Sequence, residues 1–299
     1  MTLGRPYVGR FAPSPTGRLH LGSMATAVAS CLDARAHQGQ WLVRIEDLDP
    51  PREVPGAAKD ILDTLEAFGL RWDGDVLFQS DRHDAYQEAL NVLLAHGRAF
   101  GCVCTRKTLA GEPVYPGYCR GGLSEGVSPR SFRFAMPEHR PALAWSDRWV
   151  GEQQFEPEGI GDFVLKRADG FWAYHMAVVV DDAHQGITNI VRGYDLLDNT
   201  PWQQQLQAAL QLPTPRYLHL PLVVTADGQK LSKQNLAPAL AEESRGIRRQ
   251  LFQALQLLDQ TPPPALIDEA PSVQLHWAIE HWSVAQLAPQ AHRSSPPEP

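Results

Sequence analysis

The chain has 299 residues, 43% hydrophobic and 20% charged, with a formal net charge of −7 and an isoelectric point near 5.9. That length can bury a large core in two domains plus a helical extension, and the absence of a membrane-length apolar run or a leader points to a cytoplasmic protein away from membranes. The acidic balance argues against loose, charge-driven nucleic-acid binding yet leaves room for a local arginine-rich RNA surface, and four cysteines with a Cys-x-Cys pair read as a metal site in a reducing compartment.

Tyr7 to Phe11 reads as a short buried strand. Pro13 and Pro15 then forbid ladder pairing and helix, and Gly17 releases the turn. From Leu19 onward Met24, Ala25, Val28 and Leu32 recur at helical spacing, so His20 and Gly22 fall in or near a first helical turn. Unpaired N–H groups and a partial positive charge at a helix start suit a phosphate. Gly22 lacks a side chain that would keep a flat base or ribose off the backbone. Alone, His-x-Gly is more simply a proline-rich turn with a surface histidine.

Trp41 to Ile45 reads as a buried parallel strand ending in Glu46-Asp47, at the sheet end where ligands bind in open α/β folds. Asp49-Pro50-Pro51-Arg52 reads as a stiff turn, because paired prolines exclude helix. Helices are expected at about 56–68, stopped by Gly69, and at about 81–96, capped by Ser80 or Asp81 and stopped by Gly97.

Cys102 and Cys104, with Cys119 returned by a Pro116-Gly117 turn, can take three corners of a zinc tetrahedron. On chemistry alone the fourth corner is open to Tyr115, Tyr118, a water or His139. Cys31 lies on an apolar helix face and reads as packing. Phe132–Phe134 and Phe163–Leu165 alternate like strands of an insertion splitting the main fold.

The main fold then resumes with an aromatic and apolar segment, Tyr174 to Asp182, and a strand at Ile187 to Val191 carrying into Arg192. A helix enters at Thr200-Pro201. A second apolar strand ends in Asp227-Gly228 and the loop Lys230-Leu231-Ser232-Lys233. This loop holds two of only five lysines, mobile charges that suit a polyphosphate. Beyond Asn235 the pattern is helical to about Leu287, broken at Thr261 to Pro264, and Ala288 to Pro299 reads as a disordered tail.

With both elements on the page, the chain resembles the class I aminoacyl-tRNA synthetases: His20-Leu21-Gly22-Ser23 matches their HIGH motif and Lys230 to Gln234 their KMSKS motif. Arg10 to Gly17 and Arg44-Ile45-Glu46-Asp47 narrow the resemblance to the glutamyl/glutaminyl branch, over roughly residues 5–240. Within it the chain is similar to short paralogues of glutamyl-tRNA synthetase, since no large helical anticodon-reading domain follows. Ser23 replaces the last histidine of HIGH, and Leu231 and Gln234 depart from KMSKS.

The resemblance implies an α/β fold: a Rossmann-like catalytic domain (1–98 and 171–240) split by a zinc-bearing α+β insertion (99–170), a helical part (241–287) and the tail (288–299). It implies tRNA-independent, ATP-dependent activation of L-glutamate, with Mg²⁺ accompanying ATP, and transfer of glutamate to queuosine in tRNA(Asp) by a monomer. His20, Lys230 and Lys233 would act on the phosphates, with Gly22 beside the nucleotide. Arg10, Phe11, Ala12, Pro13 and Ser14 would lie beside the substrate, Glu46 on its amino group, and Tyr174 and Arg192 on the glutamate. Arg192 would face the side-chain carboxylate, where a guanidinium can make two parallel bonds. Tyr115 becomes the favoured fourth zinc ligand. The rivals are a truncated synthetase charging the tRNA 3′ end, a tRNA-free nucleotidyltransferase, and a silent RNA-binding paralogue.

Overall fold

A computed structural model describes residues 6–137, 143–156, 161–224, 239–288 and 292–294. The chain opens with β1 (Val8–Phe11), α1 (Leu21–Ala36) and β2 (Gln40–Ile45), then α2 (Ala57–Ala67), β3 (Leu77–Phe78) and α3 (His83–Ala95). β2 pairs in parallel with β1 and with β3, as expected for strands linked by helical crossovers. Next come β4 (Ala99–Cys102), β5 (Ser131–Phe134), β6 (Leu143–Asp147), β7 (Gly151–Phe155) and β8 (Val164–Lys166). α4 (Tyr174–His184), β9 (Asn189–Gly193), α5 (Thr200–Ala209), β10 (Arg216–Leu220) and β11 (Leu222–Val224) return to the main fold. α6 (Ser244–Leu257), α7 (Pro271–His281) and β12 (His292–Ser294) complete it.

The three-stranded sheet β1-β2-β3 abuts the four-stranded sheet β7-β6-β10-β9 through Thr188. Its N–H donates to Val8 O at 2.9 Å, and its Oγ1 accepts from Val8 N at 2.8 Å. Both sheets are parallel except at the β6/β7 hairpin. β4-β5-β8 forms a separate antiparallel sheet, and β11 pairs with β12 in a two-stranded parallel one.

Several expectations change here. The β6/β7 hairpin, read as part of the insertion, sits at the edge of the main sheet, where β6 pairs with β10 at Asp147 and Tyr217. Pro50–Arg52 forms a short 3₁₀ turn, because prolines in a first turn lack only N–H groups that would go unbonded. Neither Ser80 nor Asp81 caps α3: a 3₁₀ turn at Gln79–Arg82 precedes it, and Ser80 bonds Asp47. Within the segment read as a disordered tail, residues 292–294 pair in parallel with β11.

The helical spacing of α1 suggested one apolar face, yet Met24 to Ala34 is almost wholly buried. β1, β2 and β9 cover one side, and α6 and α7 pack over the other. Small alanines at 25, 27, 29 and 34 let these layers approach closely. Asp33, fully buried under them, accepts Arg148 Nη2 at 2.8 Å and Trp282 Nε1 at 2.9 Å and pairs with Tyr7 OH, tying β1, the β6/β7 hairpin and the C-terminal part to α1. Burial would raise this carboxyl, but the Arg148, Tyr7 and Trp282 bonds outweigh it and hold it below its ordinary range.

Candidate functional site

The carboxyl ends of β1, β2 and β9 meet at one cavity. Arg10, Phe11, Ala12 and Ser14 come from β1 and its loop, Glu46 from the end of β2, Tyr174 from the start of α4, and Arg192 from β9. With Thr26 and Leu196 among its other walls, the cavity measures about 300 Å³. Pro13 lies behind this wall, its carbonyl accepting Glu46 N at 3.0 Å. So seven of the eight residues expected around an amino acid share one cavity, and the eighth braces it.

Its charges are held by buried partners. Asp182 Oδ1 accepts Arg10 Nε at 3.1 Å and Arg44 Nη1 at 2.8 Å. Arg44 Nη2 continues to Glu46 at 3.3 Å. Burial would raise Asp182, yet the two guanidinium groups win and its carboxyl titrates below the usual range. Glu46 goes the other way: burial raises it, and Arg44 and Arg10 only partly compensate. An ammonium arriving beside Glu46 would favour the ionised form. Asp181, one residue before Asp182, points to different partners: Tyr86 OH at 2.6 Å and Gln79 Nε2 at 2.9 Å.

Arg192 is the most constrained of the set. Its Nε donates to His219 Nε2 at 3.0 Å and its Nη1 to Gln203 Oε1 at 2.7 Å. Its Nη2 donates to Leu196 O at 3.1 Å and Thr200 Oγ1 at 2.8 Å. Because His219 Nε2 accepts, its proton sits on Nδ1 and donates to Asp147 Oδ2 at 2.6 Å. Burial pushes His219 down, which keeps this imidazole neutral against the pull of Asp147. A guanidinium has five N–H groups, so one on Nη1 remains for a ligand among the described residues. A two-bond grip on a carboxylate therefore requires one of the present acceptors, such as Leu196 O or Thr200 Oγ1 on Nη2, to let go.

His20 is the N-cap of α1. Its Nδ1 accepts Ser23 N at 3.3 Å, while Ser23 Oγ accepts His20 N at 2.9 Å. Ser23, a departure from HIGH, is thus half of a capping box and fixes the imidazole that remains. The neutral ring then carries its proton on Nε2. A Cβ on Gly22 would lie 3.2 Å from the His20 ring and 3.5 Å from Val223 Cβ, so glycine here admits the folded-back imidazole and the passing strand β11. Lys230 and Lys233, downstream of β11, lie outside the described residues.

The cysteine cluster sits beyond β4 and β5. The Sγ atoms of Cys102, Cys104 and Cys119 all lie within 4.8 Å of one another, with Cys104 and Cys119 3.6 Å apart. Four ligands around zinc place sulfurs about 3.8 Å apart, given a Zn–S bond of about 2.3 Å. Tyr115 OH lies 3.5 Å from Cys102 Sγ and 3.7 Å from Cys104 Sγ, and accepts Cys119 N at 2.9 Å. Tyr118 is 59% exposed and stacks edge-on against Tyr115, and His139 lies outside the described residues. Burial resists ionisation of Cys102, but bonds from Tyr115, the Cys104 backbone and Arg133 bring its thiol down to about 7. Three thiols and a phenol converging on one point can hold a metal ion.

Residues 7–113 and 122–262 match the family described as tRNA synthetases class I (E and Q), catalytic domain. The chain belongs to this family. Among curated relatives, the glutamyl-Q tRNA(Asp) synthetase of Chromobacterium violaceum is 52% identical over 94% of this chain and 95% of its own length. The protein of the same name from Thiobacillus denitrificans is 54% identical over 94% of each. Among solved structures, glutamate-tRNA synthetase from Elizabethkingia anophelis aligns with a TM-score of 0.81 at 24% identity, over 97% of this chain and 68% of that one. The fold is therefore the class I synthetase catalytic fold, mixed α/β with a parallel sheet, and the chain is a ligase enzyme.

For this class I synthetase, sequence reasoning missed Asp147, Gln203 and His219, which with Asp182 orient the cavity's arginines. Asp182 entered the sequence reading only as the end of the Tyr174 to Asp182 segment, without a partner. Apolar strands carrying one polar residue, such as His219 in Tyr217–Leu220, are the available signal, since a charge-capable group there needs a buried partner.

Proposed function

We propose that this chain activates L-glutamate with ATP in the absence of tRNA and transfers it to queuosine in the anticodon of tRNA(Asp). One observation carries the reading: a single cavity presents the Glu46 carboxylate to an ammonium and the Arg192 guanidinium to a second carboxylate. Relatives bearing the name glutamyl-Q tRNA(Asp) synthetase support the same assignment.

In the first step a glutamate carboxylate oxygen attacks the α-phosphorus of ATP, and the bond to the bridging oxygen breaks to release pyrophosphate. His20, Lys230 and Lys233 stabilise the phosphate charge, Gly22 lies beside the nucleotide, and Mg²⁺ arrives with ATP. In the second step a hydroxyl oxygen attacks the acyl carbon, the bond to phosphate breaks, AMP leaves with the electron pair and the hydroxyl proton is released. Arg10, Glu46, Tyr174 and Arg192 hold the amino acid in line throughout. Cys102, Cys104, Cys119 and Tyr115 hold one structural zinc, and the enzyme acts as a cytoplasmic monomer.

Pyrophosphate exchange with each amino acid, with and without tRNA, tests the first step: exchange with glutamate alone is expected, and a requirement for tRNA would overturn it. Labelled glutamate should stay on tRNA(Asp) stripped of its 3′ adenosine and be absent from tRNA lacking queuosine. Label on the 3′ end of tRNA(Glu) would mark a truncated glutamyl-tRNA synthetase instead.

A further inference from the structure

In the run Phe132-Arg133-Phe134 of β5, alternate side chains leave opposite faces of the strand. Phe134 is fully buried and stacks on Phe163 at 5.0 Å, so Arg133 faces the other way, toward the cysteine cluster. Its guanidinium carbon lies 4.1 Å from the centre of the Tyr115 ring. Phe100, directly opposite Arg133 in the β4/β5 ladder, packs on the same ring at 6.0 Å. The guanidinium acts on the Cys102 thiol as well. One cation therefore stands beside two of the four converging donors.

Among the described residues Arg133 has no carboxylate partner. Its Nη1 donates to Asp162 O at 3.1 Å, while the Asp162 carboxylate accepts Arg120 at 2.6 and 3.1 Å. Arg133 is half-buried between a cavity of about 250 Å³, which Tyr115 also lines, and an open groove of about 940 Å³, which Cys104 also lines. A partly desolvated guanidinium calls for a negative charge close by. The metal-loaded cluster supplies one, because three thiolates outweigh a single divalent cation.

We infer that Arg133 is a positioning residue of the metal site: stacked on Tyr115, its guanidinium supplies the counter-charge that holds the metal-loaded thiolates together. The inference rests on the proposed zinc site and adds to it a residue that binds no metal itself. Attraction between Arg133 and the cluster is stronger once the thiolates have formed, so by linkage it strengthens metal binding. The electron-rich face of the Tyr115 ring keeps the guanidinium at that spot before the metal arrives.

Zinc affinity of the full chain, read by competition with a chromophoric chelator, tests this without the reaction. Arg133→Met keeps an apolar stem over the ring and removes the charge. Arg133→Gln also removes the charge but keeps a donor for Asp162 O. Both neutral variants should bind zinc about ten-fold more weakly than wild type. Arg133→Lys keeps the charge without the planar fork and should stay within about three-fold of wild type. Cobalt(II) in place of zinc should follow the same order, and its thiolate-to-metal absorption should show the same sulfurs binding in every variant. Neutral variants that hold zinc as tightly as wild type would overturn the inference and leave the zinc site standing. A lysine variant as weak as the neutral ones would also overturn it, by tracing the loss to packing of the guanidinium plane. A wild-type chain that takes up neither zinc nor cobalt would remove the metal reading and the inference together.

Discussion

The glutamate-sized cavity and the cysteine cluster are assembled in opposite ways. Cavity charges sit on strand ends and face charges supplied by the protein: Asp182 between Arg10 and Arg44, His219 between Arg192 and Asp147. The cluster takes one donor from the end of β4 and the rest from the long segment that follows, and its donors face one another. Ionising thiols that lie 3.6 Å apart repel unless a cation joins them. The first site is organised by the fold, while the second turns its donors on one another, an arrangement that a cation would complete.

The largest effect should come from Asp182→Ala. It leaves Arg10 and Arg44 buried without their shared carboxylate, a loss of about 3–5 kcal/mol in stability together with glutamate activation. A variant that melts like wild type would show that the fold does not depend on this pairing. Next, metal analysis should find about one zinc per chain, and Cys119→Ser should lower zinc affinity by more than about 100-fold. Limited proteolysis should then cut near the cluster while calorimetry still detects glutamate binding. Equal loss at both sites would erase the contrast. Tyr115→Phe should act in the same direction more weakly, and unchanged affinity would assign the fourth position to another ligand.

A smaller effect separates positioning from contact within the cavity. His219→Ala should raise the KM for glutamate about ten-fold, worth about 1.4 kcal/mol, with kcat nearly unchanged. His219→Gln should recover most of it, because an amide can accept from Arg192 and donate to Asp147 at once. Failure of glutamine to rescue would reduce His219 to a packing residue. The smallest effect is acid. Asp33 and Asp182 both titrate lower folded than unfolded. Their stabilisation is therefore complete above about pH 4 and is lost as pH falls through their folded values. Thermal melts of Asp33→Asn should show a flatter acid limb than wild type, and parallel curves would remove Asp33 from the account.

Much of the cavity was legible through the family resemblance, because the motifs that carry it lie in short contiguous runs. Arg10 to Ser14, Glu46, Tyr174 and Arg192 each end or begin an element whose pattern is local, and parallel strands gather such ends at one edge. The cysteines were legible for a similar reason: thiol spacing and a Pro-Gly turn bring donors together with little help from the rest of the chain.

The supporting residues were not legible, because sheet register and helix packing select them. Asp147 reaches His219 only because β6 pairs with β10 in the main sheet, across 72 positions of sequence. No periodicity assigned the β6/β7 hairpin to that edge, since alternating strands fit either sheet equally well. Likewise the spacing of α1 fixed its helix, but its burial on both sides was decided when α6 and α7 closed over it. Sequence alone determined which groups carry charge and which segments form strands or helices. Tertiary structure decided which buried charge faces which, because a partner for a desolvated group is chosen by proximity in space.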